Sequence, residues 1–142
     1  MPVYRTTSEA ETIALGERLG REIERGVVLL VGNLGAGKTT LAKGMVHGLR
    51  AAPLEDVSSP TFTLIHEYGS PRERLVYHID LYRLDRPEEA ATLGLEEIFD
   101  RDALVLIEWG ERFPALMPPA RIEIRLRAVS DAKREVSIKS VS

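Results

Sequence analysis

The stretch Val27-Val28-Leu29-Leu30-Val31-Gly32-Asn33-Leu34-Gly35-Ala36-Gly37-Lys38-Thr39-Thr40 decides the fold. Its first five residues are apolar, short and rich in valine, with no alternation of polar and apolar faces. That pattern predicts a strand buried on both sides in a parallel sheet. Gly32 to Thr39 then fits the spacing G-x-x-x-x-G-K-[ST] of a phosphate-binding loop. A polyphosphate needs several backbone N–H groups pointing inward, and glycine allows the tight turn and close approach. A helix starting at Lys38 would add its positive N-terminus. On this reading the backbone of Gly32, Asn33, Leu34, Gly35, Ala36 and Gly37 wraps the phosphates. Lys38 reaches the β and γ phosphates, the Thr39 hydroxyl reaches Mg²⁺, and Thr40 donates to an α-phosphate oxygen.

Working outward, Ser8 and Glu11 have capping-box spacing, and Ile13, Gly16, Leu19, Gly20 and Ile23 recur at helical intervals. A helix over Ser8–Glu24, ended by Gly26, is predicted, and another over Lys38–Leu49. Two strands, Leu64–Tyr68 and Leu75–Ile79, flank a hairpin loop over 69–74. Short helices are predicted over Pro87–Leu93 and Leu95–Phe99, and a fully apolar strand over Leu104–Ile107. Prolines 114, 118 and 119 mark a loop. Ile122–Arg127 alternates as a half-exposed strand does, and Val136 and Ile138 suggest a last strand beside it. The expected fold is α/β: a three-layer, P-loop NTPase-like domain over 1–142, with a mixed, mostly parallel central sheet and an antiparallel edge.

Composition narrows the function classes. A chain of 142 residues suits one domain. The net charge of −3 and pI near 5.7 show no basic surplus of the kind a nucleic-acid binder carries alone. Without cysteine there is no disulfide, thiolate metal site or thiol nucleophile. The N-terminus lacks an apolar signal core, and the longest apolar run, Val27 to Val31, is far short of a membrane span. The expectation is a cytoplasmic protein with no membrane contact. Asn33 is the only asparagine, glutamine is absent, and arginine outnumbers lysine 15 to 4. Both thermophily and a GC-rich genome fit that bias.

Two acids compete for the metal. Asp80 ends the strand that begins at Leu75, and Glu108 follows Leu104-Val105-Leu106-Ile107. Carboxyl ends of strands are where α/β proteins bind ligands. Mg²⁺ usually takes one or two carboxylates plus phosphates and water. Glu108 sits on the cleaner buried strand and is the leading ligand. Asp80 is read as ordering the attacking water or a metal-bound water, and the division of roles stays open. Since the single asparagine lies inside the glycine loop, no Asn-Lys-x-Asp guanine motif can exist, which favours ATP. Thr61, in Ser59-Pro60-Thr61-Phe62, is placed to sense the γ-phosphate and metal as switch loops do. Trp109, directly after Glu108, either covers the site or packs as a core residue. His47, His66 and His78 lack ligand spacing and read as structural, with His78 two residues from Asp80.

Gly-Asn-Leu-Gly-Ala-Gly-Lys-Thr-Thr at 32–40, Ser-Pro-Thr-Phe-Thr-Leu at 59–64, Tyr-His-Ile-Asp-Leu-Tyr-Arg-Leu at 77–84 and Leu-Ile-Glu-Trp at 106–109 occur in that order. Together they resemble the bacterial TsaE (YjeE) family of ATPases, over about residues 8 to 127. The resemblance implies a P-loop ATPase, slow alone, that works with the TsaB and TsaD proteins in making N6-threonylcarbamoyladenosine at position 37 of tRNA. It implies that tRNA is met only indirectly. By match, Lys38 binds phosphate, Thr39 and Glu108 hold Mg²⁺, Thr61 is the switch residue, and Asp80 is catalytic or a metal-water ligand. Trp109 lies beside the nucleotide, and the segment from Thr7 to Thr12 lies near the adenine. Gly110 departs from relatives that carry proline there, and the tail after Val129 matches no motif. Tyr77, Tyr82, Arg83 and the loop from Pro114 to Pro119 are candidate partner contacts. Two other readings are an independent small-molecule kinase and a nucleotide-sensing binding module.

Overall fold

The computed structural model describes residues 2–60, 63–69 and 74–141. Its elements in chain order are β1 (Val3–Thr6), α1 (Glu9–Ile23), β2 (Gly26–Val31), α2 (Lys38–Gly48), β3 (Ile65–Gly69), β4 (Leu75–Asp80), α3 (Pro87–Ala91), α4 (Leu95–Phe99), β5 (Leu104–Glu108), β6 (Arg121–Ala128) and β7 (Arg134–Val141). The strands form one seven-stranded sheet in the order β1-β7-β6-β2-β5-β4-β3. The central strands β6, β2, β5 and β4 are parallel. Antiparallel pairs flank them on both sides, β3 on β4 and β7 between β6 and β1. The α/β mixed sheet expected from the sequence is present, including the hairpin of β3 with β4 and the pairing of β6 with β7.

The apolar run read as a buried strand is β2. Its alternate side chains feed two cores, because successive residues of a strand point to opposite faces. Val28 and Leu30 join Leu41, Met45, Val76, Leu104, Leu106 and Ile124 under α1 and α2. Val27 and Leu29 join Ile79, Leu84, Leu95, Val105 and Phe113 under α3, α4 and the turns at 110–116. The sheet is therefore sandwiched between two helical layers.

α1 starts as its sequence predicts. Ser8 Oγ accepts from Glu11 N at 3.1 Å, and Glu11 Oε1 accepts from Thr7 N at 2.7 Å. The carboxylate thus reaches back one residue beyond the N-cap, and these bonds hold the Glu11 carboxyl below its usual range. Gly16 and Gly20, read from sequence as part of an apolar stripe, serve instead as points of backbone contact with α2. A Cβ on Gly16 would lie 2.4 Å from Leu41 O, and one on Gly44 would lie 2.3 Å from Ile13 O. Only residues without a Cβ let the two helices approach this closely. Since α2 carries Lys38 and Thr39, α1 fixes where the glycine loop ends.

β1 had no sequence prediction. Tyr77, a candidate partner contact, is buried under α3 and α4; its hydroxyl donates to Glu67 and accepts from Arg101.

Candidate functional site

The glycine loop joins β2 to α2, so its position follows from the central strand and the packed helix. Gly35 and Gly37 adopt φ of 81° and 100°, a region costly for residues bearing a Cβ. α2 begins at Lys38 with Gly37 as its N-cap, and no side chain caps it. The first N–H groups of α2 thus remain available to an anion.

Asp80 and Glu108 end the neighbouring parallel strands β4 and β5 and are register partners across them. Both are buried at the carboxyl edge, at 3% exposure each. Thr39, on the first turn of α2, faces them. Its Oγ1 donates to Glu108 Oε2 at 3.0 Å, with Oε1 at 3.2 Å. Asp80 Oδ1 accepts from Tyr82 N at 2.8 Å, which fixes that carboxylate against the chain leaving β4. A cavity of about 350 Å³ opens here, lined by Lys38, Thr39, Thr40, Asp80, Glu108 and Trp109 among others.

Lys38 is 96% buried. Its Nζ donates to Gly32 O at 2.8 Å and lies 3.4 Å from the Trp109 ring centroid. Burial lowers the Lys38 pKa, while Glu108, Glu111 and Asp80 pull it back up. Trp109 has φ 65°, rare for a large side chain, and this left-handed turn swings its ring over the ammonium. Tyr82 packs against the same indole, with ring centroids 5.0 Å apart. Trp109 therefore belongs to the site rather than to either core alone.

The donor chemistry fits a Mg²⁺ ion: a hydroxyl and a carboxylate, both hard oxygen ligands of the kind this cation takes, lie 3.0 Å apart in a hydrogen bond at the mouth of the glycine loop. Among the described residues no group of three or more His, Cys, Asp or Glu side chains could hold a metal unaided.

His78 has a larger part than sequence assigned to it. It is fully buried on β4, and its Nε2 donates to Glu108 Oε2 at 2.6 Å. Its Nδ1 is buried with no hydrogen-bond partner among the described residues. The only sequence signal was its spacing of two from Asp80, which puts both on one sheet face. Arg134, in the tail that matched no motif, reaches the glycine loop and donates from NH2 to Gly35 O at 3.3 Å. Thr7 is engaged with Glu11, and it is Thr12, beside Glu9, that lines a smaller cavity next to Thr40. Thr61 lies outside the described residues.

The molecule is thus an α/β protein with a mixed sheet, a glycine loop at its centre and two acids at the adjoining strand ends. The TsaE family model, described as threonylcarbamoyl adenosine biosynthesis protein TsaE, matches residues 6–136. The chain belongs to the TsaE family. It is 37% identical over 139 residues to the tRNA threonylcarbamoyladenosine biosynthesis protein TsaE of Bacillus subtilis, covering 97% of this chain and 85% of that one. It is 38% identical to the protein of the same name from Treponema pallidum, covering 92% and 95%. It is 42% identical over 107 residues to that from Haemophilus influenzae, covering 75% and 66%. The crystal structure of Bacillus subtilis YdiB superposes with a TM-score of 0.80 at 33% identity, covering 99% of this chain and 86% of that one. No helix among the described residues is long and apolar enough to cross a membrane.

Proposed function

We propose that this chain is a Mg²⁺-dependent ATPase that acts with TsaD and TsaB in forming N6-threonylcarbamoyladenosine at position 37 of tRNA, meeting tRNA only through those partners. The observation that carries the ATPase reading is the 3.0 Å approach of Thr39 to Glu108 at the mouth of the glycine loop. The partner and pathway rest on family membership.

In this reading the backbone N–H groups of 32–40 and the start of α2 bind the phosphates. Lys38 leaves Gly32 O and the Trp109 face for the β and γ phosphates. Thr39 and Glu108 would hold Mg²⁺, which would supply charge neutralisation at the phosphates. Asp80, fixed by Tyr82 N, orients water at the γ-phosphate, directly or through a metal-bound water. Thr61 is assigned the switch role that its motif implies.

The test is Mg²⁺-dependent ATP hydrolysis by the pure chain, with and without purified TsaB–TsaD complex. Slow turnover alone, strong stimulation by the complex, and loss of both in Lys38→Ala are expected. Brisk turnover without partners, or phosphate appearing on a small acceptor, would sink the proposal.

A further inference from the structure

The glycine loop lies at the carboxyl ends of the parallel strands. At their amino ends the chain builds another cavity, of about 600 Å³. It is lined by Arg21 and Glu24 from the end of α1, Gly48, Leu49 and Arg50 from the end of α2, and Arg74 just before β4. α2 runs from Lys38 at the glycine loop to Gly48 here, and its 11 residues set the two places about 16 Å apart. Three arginines against one glutamate leave this lining with a formal charge of +2, in a chain whose net charge is −3.

That charge is not used up within the fold. Among the described residues, Arg74 pairs with Glu24 alone, at 3.8 Å, and the side chains of Arg21 and Arg50 have no ion-pair or hydrogen-bond partner. The neighbouring arginines are paired, Arg18 with Glu22 at 3.2 Å and Arg25 with Asp102 at 3.1 Å. Free positive charge is therefore confined to the cavity and does not run on as the track a nucleic-acid strand follows. Arg50 also holds φ of 60° just beyond the end of α2. Glycine usually stands where a helix ends in this conformation, because a Cβ strains it. Attraction to helix-end carbonyls accounts for Arg21, in the last turn of α1. It does not account for an arginine at the strained position after α2, whose last turn already carries His47. A guanidinium meets phosphate oxygens through two parallel N–H groups, so several around one cavity suit closely spaced phosphates. The volume falls within the range of about 300–1,000 Å³ usual for small-molecule sites.

We propose that this cavity is a second anion site, separate from the glycine loop, which takes a compact oligophosphate through Arg21, Arg50 and Arg74. The ligand class is a small molecule with two or more linked phosphate groups. The assignment does not depend on the nucleotide reading of the first site.

Amide NMR titration of the full chain with inorganic tripolyphosphate tests this, because the two places report separately. A set of shifts is expected at 21–25, 48–50 and 74, independent of any set at 32–40. Arg50→Gly is the deciding variant. Glycine accepts φ of 60°, so this chain keeps a melting temperature at or above that of wild type. Its affinity read at 21–25 and 48–50 falls about tenfold, while any binding read at 32–40 is unchanged. Arg21→Ala gives a loss of the same kind. Absence of shifts at 21–25 and 48–50 at millimolar tripolyphosphate would overturn the proposal, and so would full affinity in Arg50→Gly. A labelled single-stranded RNA is the second probe, and it should bind more weakly than tripolyphosphate. Tighter binding of RNA that is lost in Arg50→Gly would give these arginines to a strand and refute the compact ligand.

Discussion

Replacing His78 and Glu108 singly and together gives a sharp test of how the site is built. His78 Nε2 donates to a buried carboxylate at 2.6 Å, and the other ring nitrogen is orphaned in the core. A hydrogen bond to a charged group contributes about 1.5–3 kcal/mol, and a buried unpartnered polar atom costs about 1–3 kcal/mol. His78→Phe loses the first and relieves the second, so its net destabilisation is small, about 0–2 kcal/mol. Glu108→Met removes the acceptor and strands Nε2 as well, costing about 1–3 kcal/mol. The double variant strands no imidazole nitrogen and leaves only the part-exposed Thr39 hydroxyl without its acceptor. It is therefore more stable than the sum of the singles implies, with a coupling of about 1.5–3 kcal/mol, the hydrogen bond that both singles lose. Denaturant midpoints at constant m-value measure all three. Additivity within about 0.5 kcal/mol would refute the reasoning, because uncoupled residues add to that accuracy. The same His78→Phe chain keeps every group assigned to touch the phosphates. Its ADP affinity without Mg²⁺ should match wild type, while the Mg²⁺ concentration for half-maximal stimulation of nucleotide binding rises severalfold.

Gly44→Ala gains about 1 kcal/mol of helix propensity, but its Cβ would sit 2.3 Å from Ile13 O, a backbone atom that cannot rotate away. Overpacking of this kind costs about 1–3 kcal/mol or more, so a drop in Tm of roughly 4–8 °C is expected; an unchanged Tm would mean that α1 and α2 do not pack through their glycines. Glu123 offers a pH test. Burial alone would raise its carboxyl pKa, but Arg121 at 2.9 Å and Arg125 at 3.2 Å outweigh it and hold it below 4.5. The folded value being the lower one, its stabilisation is present above the unfolded carboxyl range and is lost as pH falls through the folded value. Glu123→Gln should therefore flatten the acid limb of stability against pH, and an unaltered limb would show that the arginines do not stabilise the carboxylate.

What could be read from the sequence was what is local. The glycine loop, the capping box of α1 and the apolar runs of β2 and β5 each lie within about a dozen residues. The conformation of each follows from that short stretch. β1 escaped because Val3-Tyr4-Arg5-Thr6 has no period of its own. It is a strand only because β7 lies beside it, with Tyr4 opposite Val136. Arg134 escaped for the same reason, being 99 residues from the carbonyl it reaches. His78 is an intermediate case. Its spacing from Asp80 placed both on one face of β4, but its chemistry depends on the register that sets His78 beside Leu106 and Asp80 beside Glu108. With that register, Glu108 projects from the end of β5 on the face that holds His78, and its carboxylate is drawn down onto the imidazole and across to Thr39. A register slipped by one residue would turn the acid to the opposite face, because side chains of a strand alternate. The strand pairing therefore does work that no motif records: it sets Asp80 and Glu108 side by side at the sheet edge and brings His78 onto the Glu108 carboxylate.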